Sequence, residues 1–276
     1  MAQDLYLDSI DTIITERVRI FNIANSITDR NSLLPTNYSY PLKENNWIKI
    51  KDVISVFVDI RGSTRLSANL HPSSTASIYE LFTWTAIRIF HQFWAEYIDI
   101  KWDGVFALFS KDKIYTSFAA AITFKTFAKK RFIPLTERKL GEKAKEIDIG
   151  FHMGIDQMTV LVKQMWIKND TERWDIRKNE VWAWKPINMS AKLASLSKDW
   201  ELYVSERYFN NLWDVELIKK SCWCWDENNI KSNLWSEIDL SQNSNFDFNK
   251  WYLLKNDWCS IHWKKWCQEI IKLDNK

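Results

Sequence analysis

Glycine is scarce in this chain: 5 residues of 276, where average usage of about 7% would supply roughly 19. Few positions therefore accept a positive φ cheaply, tight turns must be built from other residues, and each glycine present marks a place to inspect. Long apolar runs are missing too. No stretch reaches the roughly 18 uninterrupted apolar residues of a membrane-spanning helix. The opening MAQDLYLDSIDTIITERVRIF is too acidic and too broken for a secretory signal, so the expected location is the cytoplasm, with no membrane partner. A dominant charge is also absent. The 38 basic and 35 acidic residues leave a net charge of +3, and the basic residues are scattered, which gives no footprint for nucleic acid. Tryptophan, by contrast, is abundant at 17 residues, and the length suffices for one large core with elaborations.

Hydrophobic spacing organises the chain. Residues 4 to 29 repeat apolar side chains at intervals of three and four, as an amphipathic helix does; a polar loop with Pro35 and Pro41 follows. Val53 to Val58 is a β-branched, almost wholly apolar run that reads as a buried strand ending at Asp59. Helical spacing is expected over 77–97, 112–131, 187–197 and 206–213. Strands are expected over 97–101 and 105–110, joined by a tight Trp102-Asp103-Gly104 turn, and over 147–154, 160–162 and 202–204. This alternation predicts an α+β fold, a mixed or antiparallel sheet with helices packed on one face. The expected organisation is an N-terminal helical segment (1–47), a core domain (48–213) and a Trp- and Cys-rich extension packed on that core (214–276).

Two of the strand-like segments carry an aspartate, Asp59 and Asp103, at their ends. Carboxylates at one sheet edge suit hard divalent cations, and hence phosphate chemistry. Asp59 is followed by Ile60, Arg61, Gly62, Ser63 and Thr64, a glycine-containing turn before a helix start that offers backbone N–H groups to phosphate oxygens. Alone, such a D-x-x-G reads more simply as a turn or cap, and an Asp-Gly hairpin tip is commonplace. Further on, VWAWKPINMSAKL places Asn188 and Lys192 four apart on one helix face. An amide and a cation there could grip a sugar and the developing charge of phosphoryl transfer; singly they read as a cap-adjacent residue and a surface lysine.

Together, FVDIRGSTRLS (57–67), DIKWDGVFALF (99–109), IDIGFHMGID (147–156) and PINMSAKLASLSKDWELYVSERYFNNL (186–212) resemble the class III nucleotidyl cyclases, the adenylate and guanylate cyclase family, in order and spacing over about 165 residues. The lysine at 192 behind Lys185-Pro186-Ile187-Asn188 looks most like the pyrimidine cyclases of bacterial Pycsar antiphage systems. This resemblance implies a ferredoxin-like cyclase domain and a homodimer with composite active sites. It also implies two Mg²⁺ or Mn²⁺ ions per site, and conversion of UTP or CTP to the 3′,5′-cyclic nucleotide and diphosphate, with a nucleotide-sensing effector downstream. Asp59, Asp103 and the backbone carbonyl of Ile60 match the family's metal ligands, Asn188 its ribose-orienting residue, and Lys192 stands for the usual arginine. Residues Arg61, Gly62, Ser63 and Thr64 match the phosphate cradle.

By the same resemblance, the family's base-reading positions fall on Asp99 and Val181, with Phe57 placed to stack on the base. A carboxylate accepts but does not donate hydrogen bonds, which disfavours adenine N1 and suits uracil N3–H, the cytosine amino group, or the N1–H and N2 amino group of guanine. Val181 reads nothing by hydrogen bonding, so a small base fits better than guanine, and the expected order is UTP, then CTP, then GTP. Purine cyclase activity and a catalytically impaired nucleotide-binding domain are the alternatives. The latter predicts a lost metal aspartate, and both are present. A palm-type nucleotidyltransferase would need tandem glycines that KWDGV lacks. Under this resemblance, Trp102, Trp184 and Trp263 stand where the related cyclases usually carry glycine, and a positive φ at Trp102 would cost on the order of 1 kcal/mol or more. Cys222, Cys224, Cys259, His262 and Cys267 are zinc-ligand types, but the two halves are separated by 34 residues and C-x-C is a weak pattern, so reduced thiols are the expected state.

Overall fold

A short amphipathic helix, α1 (Leu7–Phe21), opens the computed structural model. The structure describes residues 7–34, 45–166, 178–183, 185–198, 201–212, 216–220, 222, 224, 233–254, 258–259 and 261–275. The helix is shorter than its sequence pattern predicts: residues 26–30 form a strand, β1 (Ser26–Arg30), parallel to the start of β2 (Asn46–Arg61). Ile13, Ile14, Val18 and Phe21 stay exposed, so the apolar stripe of α1 is not buried against the sheet. The Pro35 and Pro41 loop, the first residues of the expected helix, Trp184 and Trp213 lie outside the described residues.

β2 is the longest strand of the N-terminal half because its apolar segment is flanked by sheet partners on both sides. It pairs antiparallel with β4 (Gly104–Phe109) and with the 17-residue β5 (Gly150–Trp166). The two strands expected over 147–154 and 160–162 are thus one. Between β2 and β4 in sequence come α2 (Ser63–Asn69), α3 (Pro72–Gln92) and β3 (Tyr97–Lys101). Helix α3 starts well before residue 77, because Pro72 suits its first turn and the His71 side chain accepts from Ser73 N–H.

After β4 come α4 (Ile114–Phe127), α5 (Ile133–Leu140) and α6 (Ala144–Ile147). Beyond β5 come β6 (Lys178–Ala183), α7 (Lys185–Leu196), β7 (Leu202–Ser205), α8 (Glu206–Asn211) and α9 (Glu216–Lys219). The last elements are β8 (Trp235–Asp239), β9 (Lys250–Leu254) and α10 (His262–Ile270).

The strand order is β3-β4-β2-β5-β7-β9-β8, with β1 added on β2 and β6 on β5. Sheet strands therefore lie outside the 48–213 segment at both ends: β1 precedes it, and β8 and β9 of the tail complete the sheet through β7.

Strand alternation separates two faces. Ile54, Val56, Val58 and Ile60 point into the main core with Phe82 and Phe90 of α3 and Phe118 and Phe124 of α4. Helix α4 is buried nearly all round, as a central helix must be, and Asp274 caps its first turn by accepting from Tyr115 and Thr116 N–H at 2.8 and 2.7 Å. On the opposite face Ser55 meets Ser190 of α7 at 2.9 Å. Helices thus cover both faces, where one was expected. Contact on that second face is close because Gly154 lies under α7: a Cβ there would fall 2.7 Å from Ala194 N and closer still to Ser190 O.

Candidate active site

Asp59 and Asp103 come together at the end of the β2, β3 and β4 edge. The β3–β4 turn puts Asp103 at its tip, and Gly104 lets the turn settle onto β2: a Cβ on Gly104 would lie 2.6 Å from Phe57 Cζ and 3.2 Å from Asp59 Oδ1. Any larger residue there would push the Phe57 ring aside, and this role of Gly104 beside the first carboxylate was not evident from the Asp-Gly pattern alone. Burial, then the charge of Asp103, pushes the Asp59 carboxyl up to about 7, although a backbone hydrogen bond at Ile60 opposes the shift. Two carboxylates held this close in a half-buried place are a ligand set for a hard cation, which would relieve the repulsion that raises Asp59. His152 stands directly across from Asp59 on β5, and its Nδ1 lies 2.9 Å from the Ser197 carbonyl oxygen.

The Trp102 backbone has a positive φ of 57° and its side chain is 93% exposed, so the strained conformation anticipated at this turn is present, with no burial of the indole to offset it. Trp263 differs: it lies inside α10 with no positive φ.

Next to the carboxylates, Gly62 adopts a left-handed conformation (φ 83°) and leads into α2. A Cβ there would meet the Ile147 carbonyl oxygen at 2.8 Å, so the turn presses against the end of α6. Arg61 donates to Asp148 Oδ1 at 3.0 Å. Arg61, Gly62, Ser63, Thr64 and Arg65, with Ile147 and Asp148, line a cleft of about 280 Å³. Asp148, itself at positive φ, carried no signal in the sequence.

One cross-strand row on the α7 side of the sheet runs Asp99, Phe106, Phe57, Gly154 through β3, β4, β2 and β5. Asp99 and Phe57 therefore share a face, two strands or about 10 Å apart. Asp99 accepts from Ile100 N–H at 2.8 Å and pairs with Lys101 at 2.7 Å. Val181 is placed otherwise. Its neighbours Glu180 and Trp182 meet Tyr97, through a 3.3 Å hydrogen bond and a ring contact at 4.7 Å, so Val181 points to the far side of β6, away from Asp99. The chain does not gather these two positions.

Asn188 and Lys192 are exposed on α7. Lys192 Nζ donates to the Asn245 carbonyl oxygen at 3.0 Å, in the loop between β8 and β9. The same loop holds the start of α7 through Asp247, which pairs with Lys185 and Arg207, both at 2.9 Å; these contacts outweigh its burial and lower its pKa. Arg207 also makes a two-pronged ion pair with the fully buried Asp156. The network fixes α7 against β5 and α8, and neither Asp156 nor Arg207 stood out in the sequence, where charged residues read as surface.

No family model matches the chain. A uridylate cyclase of Micromonospora echinofusca is 31% identical over 234 residues, 84% of this chain and 73% of that protein. A uridylate cyclase of Propioniciclava tarda is 29% identical over 231 residues, 83% of this chain and 72% of that one. Among solved structures, the guanylate cyclase domain of RhGC from Catenaria anguillulae, in complex with GTP, superposes with a TM-score of 0.55 at 12% identity, covering 76% of this chain and 98% of that domain.

Proposed function

Because the chain belongs to the uridylate cyclase family of class III nucleotidyl cyclases, we propose that it is a metal-dependent homodimer that converts UTP, and less efficiently CTP, to the 3′,5′-cyclic monophosphate. The observation that supports this reading most is the Asp59–Asp103 pair, in which burial and then mutual repulsion raise Asp59 to about 7. Mg²⁺ or Mn²⁺ held by these carboxylates and the Ile60 carbonyl would supply Lewis-acid stabilisation to the triphosphate and lower the pKa of the ribose 3′-hydroxyl.

In the reaction the 3′-oxygen bonds to the α-phosphorus, the bond from that phosphorus to the bridging oxygen breaks, and diphosphate leaves. The turn at Arg61, Gly62, Ser63 and Thr64 cradles the phosphates with backbone N–H groups. Asn188 orients the ribose. Lys192, released from Asn245, stabilises charge on the α-phosphate as a point cation, without the bidentate fork of an arginine. No separate general base is required, so the hydroxyl proton passes to solvent.

Two active sites are shared between two chains in this reading. The exposure of Asn188 and Lys192, and the placing of Asp99 on the sheet face that also carries Asp59, favour a partner surface meeting that face. Asp99 accepts the N3–H of uracil, and Phe57 walls the base; the outward-facing Val181 weakens its part in base reading. Resemblance to the Pycsar pyrimidine cyclases extends the proposal to antiphage signalling through an effector that senses the product. Incubation with UTP and Mn²⁺ tests the activity. Diphosphate release with a cyclic product, abolished in Asp59→Asn and Asp103→Asn, is expected; release unaffected by both substitutions refutes the assignment.

A further inference from the structure

Far from the carboxylate edge in sequence, three thiols and an imidazole converge where the tail folds back on itself. The ligand atoms of Cys222, Cys224, Cys259 and His262 all lie within 4.8 Å of one another. His262 Nδ1 is 3.0 Å from Cys224 Sγ and 3.2 Å from Cys259 Sγ, and the Cys259 N–H donates to Cys222 Sγ at 3.3 Å. We propose that these four residues bind one Zn²⁺ ion as a structural site that ties the two ends of the C-terminal segment together.

The donor set and its spacing carry the argument. Tetrahedral zinc with bonds of about 2.3 Å to sulfur and 2.0–2.1 Å to nitrogen separates its ligands by roughly 3.6–3.8 Å, so the cluster needs only small side-chain shifts to close around an ion. Three sulfurs and one nitrogen match the softness and coordination number of zinc; a calcium or magnesium site would present oxygens. A backbone N–H aimed at a ligand sulfur is the outer contact that steadies a metal-bound thiolate. All four cysteines of the chain are free thiols, and a disulfide between any two cluster members would leave the other two donors unused. Cys267 is not part of the cluster, although its sequence position grouped it with the others. It sits on the buried side of α10 with Sγ 3.6 Å from Thr123 Oγ1 and 3.9 Å from the Ala119 carbonyl oxygen.

The local architecture shows what the ion would hold. Cys259-x-x-His262 leads into α10, whose inner face buries Trp266 and Ile270. Trp266 stacks on Trp258 at 3.8 Å and donates to the Leu217 carbonyl oxygen at 2.7 Å, and the residues after α10 reach Asp274, the cap of α4. Cys222 and Cys224 precede β8; Cys259 and His262 follow β9. Zinc therefore closes a loop around the β8–β9 pair, the same pair whose connection holds Lys192.

Elemental analysis of the full chain, purified without chelator and desalted after addition of zinc, tests the proposal. One zinc per chain is expected, unchanged in Cys267→Ser and at least tenfold reduced in affinity in Cys224→Ser. Replacement by Co²⁺ is expected to give the intense visible bands and sulfur-to-metal charge transfer of a tetrahedral thiolate site, which needs no variant and so is independent of any folding defect. Removing zinc is expected to lower the thermal midpoint. A zinc content near zero, iron in its place, Co²⁺ bands of an octahedral ion, zinc binding that survives Cys224→Ser unaltered, or a disulfide joining two of the four residues each overturns it.

Discussion

Replacing Asp59 by asparagine should stabilise the metal-free protein, in a manner that depends on pH. In the folded chain burial and Asp103 raise the Asp59 carboxyl from 3.8 to about 7. Below pH 3.8 both the folded and unfolded states hold the proton, and the residue costs nothing electrostatically. Between pH 3.8 and 7 the unfolded state releases its proton and the folded state keeps it, so folding is progressively disfavoured as pH rises; above 7 the whole penalty is present. A shift of about 3 units corresponds to about 4 kcal/mol at 1.36 kcal/mol per unit. Partial solvation and sharing of the charge with Asp103 reduce this to about 2 kcal/mol, or about 4–8 °C in thermal midpoint for a chain of this size. Asparagine is nearly isosteric and never ionises. Thermal unfolding in EDTA should therefore show Asp59→Asn and the parent chain alike near pH 4, with the variant more stable at pH 8. Added Mn²⁺ should then stabilise the parent, by about 2.7 kcal/mol at one hundred times the dissociation constant, and leave the variant unmoved. A variant less stable at pH 8, or a difference that ignores pH, would refute the reasoning.

Other substitutions probe the surrounding parts. Trp102→Gly removes a side chain from a left-handed turn and should raise stability by up to about 1 kcal/mol while cyclase activity is retained or increased; lost activity with an intact fold would assign the indole a function. Gly154→Ala should destabilise by about 1–3 kcal/mol through overpacking against α7 and lower turnover, because Asn188 and Lys192 move with that helix; unchanged thermal and kinetic values would show that α7 has slack. Lys192→Ala should lower kcat about 10²–10³-fold, and mixing it with Asp59→Asn should recover activity if sites are shared between chains. Asp99→Ala should lower kcat/KM for UTP by about 10–150-fold, equivalent to about 1.5–3 kcal/mol, without changing the thermal midpoint, and equal loss for all nucleotides would remove its role in base choice.

Local patterns predicted the parts of the site that lie within single elements. The Trp-Asp-Gly turn between two apolar runs located Asp103 at a hairpin tip, and the spacing of Asn188 and Lys192 after Pro186 located them on one face of α7. Long-range partners were not legible. Ser26–Arg30 is too polar to read as a strand until it pairs with β2, and β8 and β9 are short strands separated by a polar connection, so their completion of the sheet through β7 depends on tertiary pairing. Asp156 and Arg207 are 51 residues apart, and nothing near either announces a buried ion pair. The cysteines failed as a motif for the same reason: the 34 intervening residues include the β8–β9 pair that brings the halves together. Glycine scarcity, in contrast, was informative, since Gly62, Gly104 and Gly154 each stand where a Cβ would collide with backbone or with the site.

The most direct measurement offers the purified chain equal concentrations of UTP, CTP, GTP and ATP with Mn²⁺ and identifies the products by mass spectrometry. Cyclic UMP as the main product, with cyclic CMP second and diphosphate released in equal amount, is the predicted result. Cyclic AMP as the main product, or no diphosphate from any nucleotide, would contradict the account.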